Sequence, residues 1–213
     1  MAVTMSPLLI SMVRTVLYAL LVICGLTMSS AIGVSMSKHD NNCLLYADLT
    51  KQTYGSVSTC NYNIAIATVF CLLYPIAVIV INVICIVKNI TIPYQELSFL
   101  IHVVADGVAF FFVLVAACTI SVGFKLLCDG MVGDTGIPCS SAAVINEHSG
   151  KDFFYQNLSA AEAGTWTAVT VWLVQLIGGL LVLWRTGRMP CLPCRPPTQQ
   201  STPSRSVEIP EKY

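Results

Sequence analysis

Charge is what this sequence of 213 residues has least of. Only 10% of its residues are charged, whereas a soluble domain carries about 25%, and its mean hydropathy is +0.74. This shortage excludes a water-soluble globular enzyme. The eleven Lys and Arg residues balance the eleven Asp and Glu residues, so net charge indicates neither a nucleic acid nor an acidic partner.

Catalytic motifs are also absent from the sequence. It contains no G-x-S-x-G, no H-E-x-x-H and no Walker phosphate-binding loop, which are the patterns that place a nucleophile, a zinc ion or a nucleotide. His residues and carboxylates do not cluster, apart from His102 and Asp106. We therefore expect no enzyme activity and no cofactor.

Four long apolar segments are what the sequence does contain. They span residues 15–36, 63–87, 97–124 and 160–184. Each is about as long as the roughly 20 residues that a helix needs to cross the hydrocarbon core, or longer. The sequence therefore predicts an all-α membrane protein, a four-helix transmembrane bundle over 1–184 with two outer loops at 37–62 and 125–159. Residues 185–213, rich in Pro, Ser, Thr and charge, are predicted to form a disordered cytoplasmic tail.

The basic residues beside the spans predict the orientation, because cytoplasmic flanks carry more Lys and Arg. The side that holds both termini carries Arg14, Lys88, Arg185, Arg188, Arg195, Arg205 and Lys212, and the other side carries Lys38, Lys51, Lys125 and Lys151. Both termini are therefore predicted to be cytoplasmic. Without a retention signal, the plasma membrane or secretory and endosomal vesicles are the expected location.

The first span has an alternative interpretation as a cleaved signal peptide. Arg14, the apolar run 16–26 and the small residues at 29–31 fit that pattern. The apolar stretch continues past Ala31, which is longer than a usual signal core. We therefore favour a retained span, and the later spans keep the same orientation in either case.

Two cysteines fall in each outer loop, Cys43 and Cys60 in the first and Cys128 and Cys139 in the second. On an oxidising side of the membrane such pairs are typical of disulfides. Four cysteines allow three connectivities, and the sequence does not choose among them. We favour Cys43–Cys60 and Cys128–Cys139, since each closes a short loop worth roughly 3 kcal/mol.

Two candidate modification sites flank the fourth span. Cys191 and Cys194 form a C-x-x-C motif just past it, where S-palmitoylation, an unmodified linker and half of a zinc site are the alternatives. Asn157 begins a glycosylation sequon in the second outer loop. Its position almost at the membrane makes glycosylation doubtful, because Ser159 and Glu162 predict a capping box that starts the helix at about residue 160.

Polar residues inside the spans have two interpretations. Asp106 lies well inside the third span with His102 one helical turn away, and counting from the cytoplasmic ends puts Asn82 and Gln175 at similar depths. A carboxylate there costs about 2.5–3.5 kcal/mol to insert, so it is a functional hypothesis by default. A proton or cation relay is one interpretation, and helix association through a hydrogen-bonded Asp106 is the other, which we favour.

Small residues mark possible packing faces on two spans. Gly25, Ser29 and Gly33 recur every four residues on the first span, and Gly178 and Gly179 lie in the fourth. Such residues permit close approach of helices, either within the bundle or with a partner.

Several stretches together resemble one known family. They are N-C-L-L-Y at 42–46, F-V-L-V-A-A-C at 112–118, L-C at 127–128, P-C-S at 138–140, F-Y-Q-N-L-S-A-A-E at 154–162 and T-W at 165–166. The chain resembles the transmembrane protein 179 family, and its B member more than its A member, over most of its length except the tail. The resemblance implies a four-span membrane protein with no established activity or catalytic residue, and the matched cysteines support the outer-loop disulfides.

Other four-span families fit this sequence less well. The first outer loop lacks the tryptophan-bearing cysteine pattern of claudins, neither loop has the three cysteines of connexins, and the second loop lacks the Cys-Cys-Gly of tetraspanins. The likeness to MARVEL-type vesicle and junction proteins is one of architecture only.

Two functional hypotheses follow from the sequence. The first is a non-enzymatic, multi-pass membrane protein that organises or accompanies other membrane proteins, with the lipid bilayer and those proteins as its partners. The alternative is a small proton or cation transporter or channel that uses His102 and Asp106.

Overall fold

The computed structural model describes residues 7–38, 40–48, 53–88, 95–132, 139 and 154–185. The helices are α1 (Pro7–Lys38), α2 (Val57–Ile66), α3 (Tyr74–Lys88), α4 (Gln95–Val132) and α5 (Phe154–Arg185), and the strands are β1 (Cys43–Asp48) and β2 (Thr53–Gly55). A π-helical segment, Ala67–Leu73, joins α2 to α3 without a break. The predicted cytoplasmic tail lies outside the described residues.

Four helical stretches are long and apolar enough to cross a membrane, as predicted. They are Ser11–Lys38, Val57–Ile84, Phe99–Gly130 and Tyr155–Arg185. The second stretch is built from α2, the π segment and α3. The predicted four-helix membrane fold is therefore confirmed, and an even number of spans places the start of α1 and the end of α5 at the same end of the bundle.

The π segment has a local cause in Pro75. Proline has no backbone N–H, and its ring clashes with the carbonyl four residues earlier in a regular helix. A wider turn relieves that clash, and the N–H of Tyr74 accordingly donates to the carbonyl of Val69, five residues earlier. Tyr74, which directly follows the segment, donates from its hydroxyl to Asp106 of α4.

Most hydroxyl groups in the spans donate to the carbonyl four residues earlier in their own helix. Such bonds join Thr15 to Ser11, Thr27 to Ile23, Ser29 to Gly25, Ser30 to Leu26, Thr68 to Ile64, Thr119 to Val115, Thr165 to Ala161, Thr167 to Ala163 and Thr170 to Trp166. Because these hydroxyls are satisfied locally, the helices tolerate them in hydrocarbon.

The helices pack in the order α4, α5, α1 and then the second span. Glycine permits two of these contacts: a Cβ at Gly25 would lie 2.8 Å from Cys71 Cβ in the π segment, and a Cβ at Gly179 would lie 2.7 Å from a methyl of Val103. By contrast, a Cβ at Gly33 or Gly178 would meet nothing within 4 Å. Of the glycines on the predicted small-residue faces, Gly25 and Gly179 therefore lie at close helix contacts, whereas Gly33 and Gly178 face no neighbouring atoms.

The first outer loop contains a two-stranded antiparallel sheet, which the sequence did not predict. Cys43 lies opposite Gly55 and Asp48 opposite Thr53, with a register shift between them. A side chain at Gly55 would overlap the carbonyl oxygen of Leu45, so glycine is required there. β1 lies on α4 and buries its cysteine and leucines against the bundle.

Both favoured disulfides are present. Cys43 is bonded to Cys60 and closes a separation of 17 residues, and Cys128 is bonded to Cys139 over 11 residues. The first bond fastens β1 to α2 at the outer end of the second span. The prediction of disulfide-stapled outer loops is therefore confirmed.

The fourth helix begins earlier than the predicted capping box. α5 starts at Phe154, so Ser159 lies inside the helix instead of preceding it. The reason is packing: Leu158 is fully buried, and the Tyr155 ring lies 5.5 Å from the Phe124 ring of α4. These contacts extend the helix outward, and the capping interpretation is wrong.

Candidate functional site

Asp106 accepts hydrogen bonds from three side chains. Its Oδ2 accepts from Nη2 of Arg14 at 3.0 Å, and its Oδ1 accepts from the hydroxyls of Tyr18 and Tyr74, each at 3.0 Å. The same Arg14 nitrogen also donates to the Tyr18 oxygen at 3.1 Å. The carboxylate is therefore nearly saturated, since it offers about four acceptor positions.

All four spans contribute to this cluster, which we call the Asp106 cluster (Arg14, Tyr18, Tyr74, His102, Asp106 and Gln175). From α5, the Gln175 amide donates to the backbone carbonyl of Arg14 at 3.2 Å. Nδ1 of His102 lies 3.4 Å from the Tyr74 hydroxyl oxygen. Because that hydroxyl gives its proton to Asp106, the contact requires His102 to donate from Nδ1, an assignment made from the network.

Aromatic rings enclose the cluster. Trp172 is fully buried and meets the Tyr18 ring edge-on at 6.0 Å and the Tyr74 ring at 5.8 Å. On the opposite side, Arg14 Cζ lies 5.3 Å from the Phe99 ring centre. Rings at these distances exclude water while their faces attract the cation.

The ion pair is the main electrostatic feature of the site. The Arg14 side chain is 18% exposed and that of Asp106 is 0% exposed. Removing two charges from water is costly, and good geometry with further hydrogen bonds offsets that cost. The two tyrosine hydroxyls supply those bonds to the carboxylate, so Asp106 is well satisfied by hydrogen bonds and by the charge of Arg14.

The polar path does not continue toward the outer side of the described bundle. Beyond Trp172 the buried side chains are apolar groups and thiols, together with the polar residues Thr165, Asn63 and Ser35. Thr165 and Asn63 donate to carbonyls of their own helices, and no hydrogen bond joins any of the three to the cluster among the described residues. The cluster therefore opens toward the end of the bundle where α1 begins and α5 ends, and Arg14 and His102 are partly exposed there.

The structure brings together three of the four polar residues singled out in the sequence. Asp106, His102 and Gln175 meet in the cluster, while no hydrogen bond joins Asn82 to it among the described residues. Sequence reasoning missed Arg14, Tyr18 and Tyr74 as partners. The spacing of four between Arg14 and Tyr18 was the available signal, because it places both on one helix face.

A second candidate site is the outer hairpin, formed by β1, β2 and the start of α2. Tyr46 adopts a φ of 65°, an uncommon conformation for a bulky residue, and its ring lies over Gly123 of α4. Tyr46, Tyr54 and Val57 remain 38%, 51% and 43% exposed. The hairpin thus exposes aromatic and apolar side chains, and the Cys43–Cys60 disulfide holds it to α2.

The remaining predicted sites have different positions. Asn157 is partly buried in the first turns of α5, where an oligosaccharide would meet helix and membrane, so its glycosylation stays doubtful. Cys191 and Cys194 lie outside the described residues, and their acylation stays a prediction. No group of three metal-ligating side chains occurs within the part of the chain that the structure describes.

These features define a four-span integral membrane protein with disulfide-fastened outer segments and spans joined at a buried ion pair. The chain belongs to the transmembrane protein 179/179B family, because the family model described as "Transmembrane protein 179/179B Claudin domain" matches residues 10–189. This confirms the resemblance seen in the sequence. It is not a known enzyme family.

Two curated relatives are both B members of this family. Transmembrane protein 179B of Danio rerio is 24% identical over 189 residues, covering 80% of this chain and 81% of that protein. Transmembrane protein 179B of Homo sapiens is 33% identical over 91 residues, or 41% of each chain. No solved structure matches this chain.

The expected poor fit to claudins is wrong at the level of the domain, since the matching family is described as a claudin domain. That expectation depended on one cysteine and tryptophan motif in the first outer loop. The family match instead extends over all four spans, whose pattern a single loop motif does not represent.

Proposed function

We propose that this chain is a non-enzymatic membrane protein that contacts other membrane proteins through its outer hairpin, with both termini in the cytoplasm. The observation that carries the proposal is the exposed trio Tyr46, Tyr54 and Val57 on a hairpin fastened by a disulfide and packed on α4. Rigid aromatic side chains provide contact area at low entropic cost, and Tyr is enriched at binding hot spots.

Two further features support this proposal. The hairpin and its disulfide lie at the opposite end of the bundle from the start of α1 and the end of α5, and disulfides persist where the environment is oxidising. This side is therefore the outer or lumenal one, and the plasma membrane or secretory and endosomal vesicles are the membranes that fit. The Asp106 cluster joins the four spans at the other end of the bundle and so supports the helices on which the hairpin packs.

The relay alternative has less support from the geometry. Asp106 is occupied by three donors, and no hydrogen bond among the described residues joins it to Thr165, Asn63 or Ser35, the buried polar residues nearer the outer side. A proton on Asp106 therefore has no hydrogen-bonded path onward through the described residues in this conformation. Asp106→Asn is the test, since a relay would lose ion flux in liposomes while a structural residue would leave baseline flux unchanged.

The contact proposal is tested by quantitative affinity purification of the full chain in mild detergent, with stoichiometry read by mass spectrometry. We expect one membrane protein near one-to-one with the wild type and about tenfold less with Tyr54→Ser, as for a hot-spot tyrosine. Asn61→Ala, exposed at the same outer end, is the matched control. Equal recovery with Tyr54→Ser, or no stoichiometric partner, would contradict the proposal.

The Asp106 cluster also supports retention of the first span. Cleavage after Ala31 would remove Arg14 and Tyr18, two of the three donors to Asp106. We therefore expect the mature protein to contain the peptide that holds Arg14. Mass spectrometry of protein purified from its native membrane checks this, and a mature N-terminus beyond residue 30 would overturn it.

A further inference from the structure

The donors of Arg14 are not all used by the Asp106 cluster. Nη2 makes both hydrogen bonds of the guanidinium, to Asp106 and to Tyr18. Nε is buried without a partner, and Nη1 makes no hydrogen bond with any residue that the structure describes. The Arg14 side chain is 18% exposed, so part of it lies at the surface of the bundle while Nη2 faces the cluster.

The position of Arg14 in the span indicates what lies beside that outward side. The first apolar stretch begins at Ser11, so Arg14 lies about 5 Å inside it at 1.5 Å per residue. A residue at that depth lies close to the membrane interface, although its Nη2 is directed deeper into the bundle, toward Tyr18 and Asp106. Phospholipid phosphates lie at this boundary, and guanidinium N–H groups form strong, charge-assisted bonds to phosphate oxygens.

A lateral opening lies next to the same residue. α3 packs on α1, whereas the backbones of α3 and α4 scarcely approach each other, and Tyr74 bridges them through its side chain alone. Ile81 of α3 and Ile101 and Val104 of α4 are 47%, 59% and 59% exposed. In a bilayer, an apolar opening between two spans is accessible to an acyl chain.

We propose that the chain binds one phospholipid at the end of the bundle near its termini, with the lipid phosphate on Arg14 and an acyl chain between α3 and α4. The partly buried His102, whose Nδ1 contacts Tyr74, lies on the α4 side of this opening with Nε2 unbonded among the described residues. Arg14 then has two roles, since it neutralises Asp106 on one side and holds a lipid phosphate on the other.

The test uses the full chain, purified in detergent, stripped of lipid and examined by native mass spectrometry. We expect dioleoylphosphatidylcholine to bind at one molecule per chain. Dioleoylglycerol, which has the same acyl chains without phosphate, should bind at least about tenfold more weakly if the charge-assisted bonds matter. Equal binding of the two lipids, or no saturable binding, would overturn the proposal.

Inorganic phosphate separates a lipid site from a free-anion site. We expect millimolar inorganic phosphate neither to compete with the phospholipid nor to raise the melting temperature. If phosphate alone competes fully, the site takes a free anion and the lipid proposal is wrong.

A variant pair isolates Arg14 from general attraction between cations and lipids. Arg14→Lys keeps the charge opposite Asp106 but removes the planar set of donors, and we expect about a fivefold loss of phospholipid binding. Arg185→Lys is the matched control, an exposed arginine at the same end of the bundle. Equal losses in the two variants would overturn the site. If Arg14→Lys does not fold, the comparison of lipids on the wild type still decides the question.

Discussion

At the end of the bundle near the chain termini an ion pair joins the spans, whereas at the outer end disulfides fasten the loops to the helices. The Asp106 cluster connects all four spans through side-chain hydrogen bonds. The outer end combines Cys43–Cys60 with a cluster of buried Met, Leu and Ile side chains. Removing one charge should therefore destabilise the Asp106 cluster strongly. At the outer end the apolar packing remains when the disulfide is removed.

Removing the carboxylate should have the largest effect. Asp106→Ala leaves the Arg14 guanidinium buried without its counter-charge, and we expect a loss of about 3–5 kcal/mol in the free energy of unfolding. Labelling by a thiol-reactive dye in detergent, read at each cysteine separately, measures this at Cys24 and Cys71, which are buried free thiols, whereas the exposed Cys118 labels in the folded protein as well.

A double variant is the control for that prediction. Arg14→Met with Asp106→Leu removes both charges, and we expect it to unfold at a higher temperature than Asp106→Ala, because an apolar pair needs no counter-charge. If the double variant is less stable than the single one, the ion pair itself stabilises the bundle, and the loss in Asp106→Ala is not due to an unpaired charge on Arg14.

Loss of the first disulfide should have the next largest effect. Replacing Cys43 and Cys60 by Ala opens a loop of 17 residues, and we expect a loss of roughly 3 kcal/mol. The damage should stay local, with faster hydrogen exchange in β1 and β2 and little added labelling of Cys71. If Cys71 labels as fast as in Asp106→Ala, the two ends of the bundle unfold together and the disulfide acts on the whole bundle.

A glycine pair tests the contact between α1 and the π segment. A Cβ at Gly25 would lie 2.8 Å from Cys71 Cβ and 3.0 Å from its backbone carbonyl carbon, so Gly25→Ala should cost about 1–3 kcal/mol through overpacking. Gly33→Ala meets nothing within 4 Å and should be neutral or gain up to about 1 kcal/mol of helix propensity. Melting temperatures that shift equally for both variants would contradict this contact.

The sequence predicted the features that depend on local composition. Apolar length alone indicated four spans, and two cysteines in each outer loop indicated the disulfides. Asp106 stood out because a carboxylate in hydrocarbon needs a partner. Each of these features can be read within one segment of the chain.

Features that depend on contacts between segments were missed. Arg14 was interpreted only as a flanking charge that indicates orientation. Its side chain bonds to Asp106, which is 92 residues away in the sequence. The strand β2 has only three residues, and it exists because β1 is packed on α4 and bonded to α2. The early start of α5 likewise results from the burial of Leu158.

The smallest predicted effect concerns an exposed hydrogen bond between α4 and α5, located between the Asp106 cluster and the outer loops and facing the lipid. Trp166 Nε1 of α5 donates to Ser121 Oγ of α4 at 2.9 Å, and interhelical bonds of this kind contribute about 0.6 kcal/mol in membranes. Trp166→Phe should therefore lower the melting temperature only slightly. Trp184→Phe, which is 66% exposed, is the control and should leave it unchanged. A loss with Trp166→Phe as large as with Gly25→Ala would show that lipid-facing bonds between α4 and α5 hold the bundle as strongly as its buried contacts.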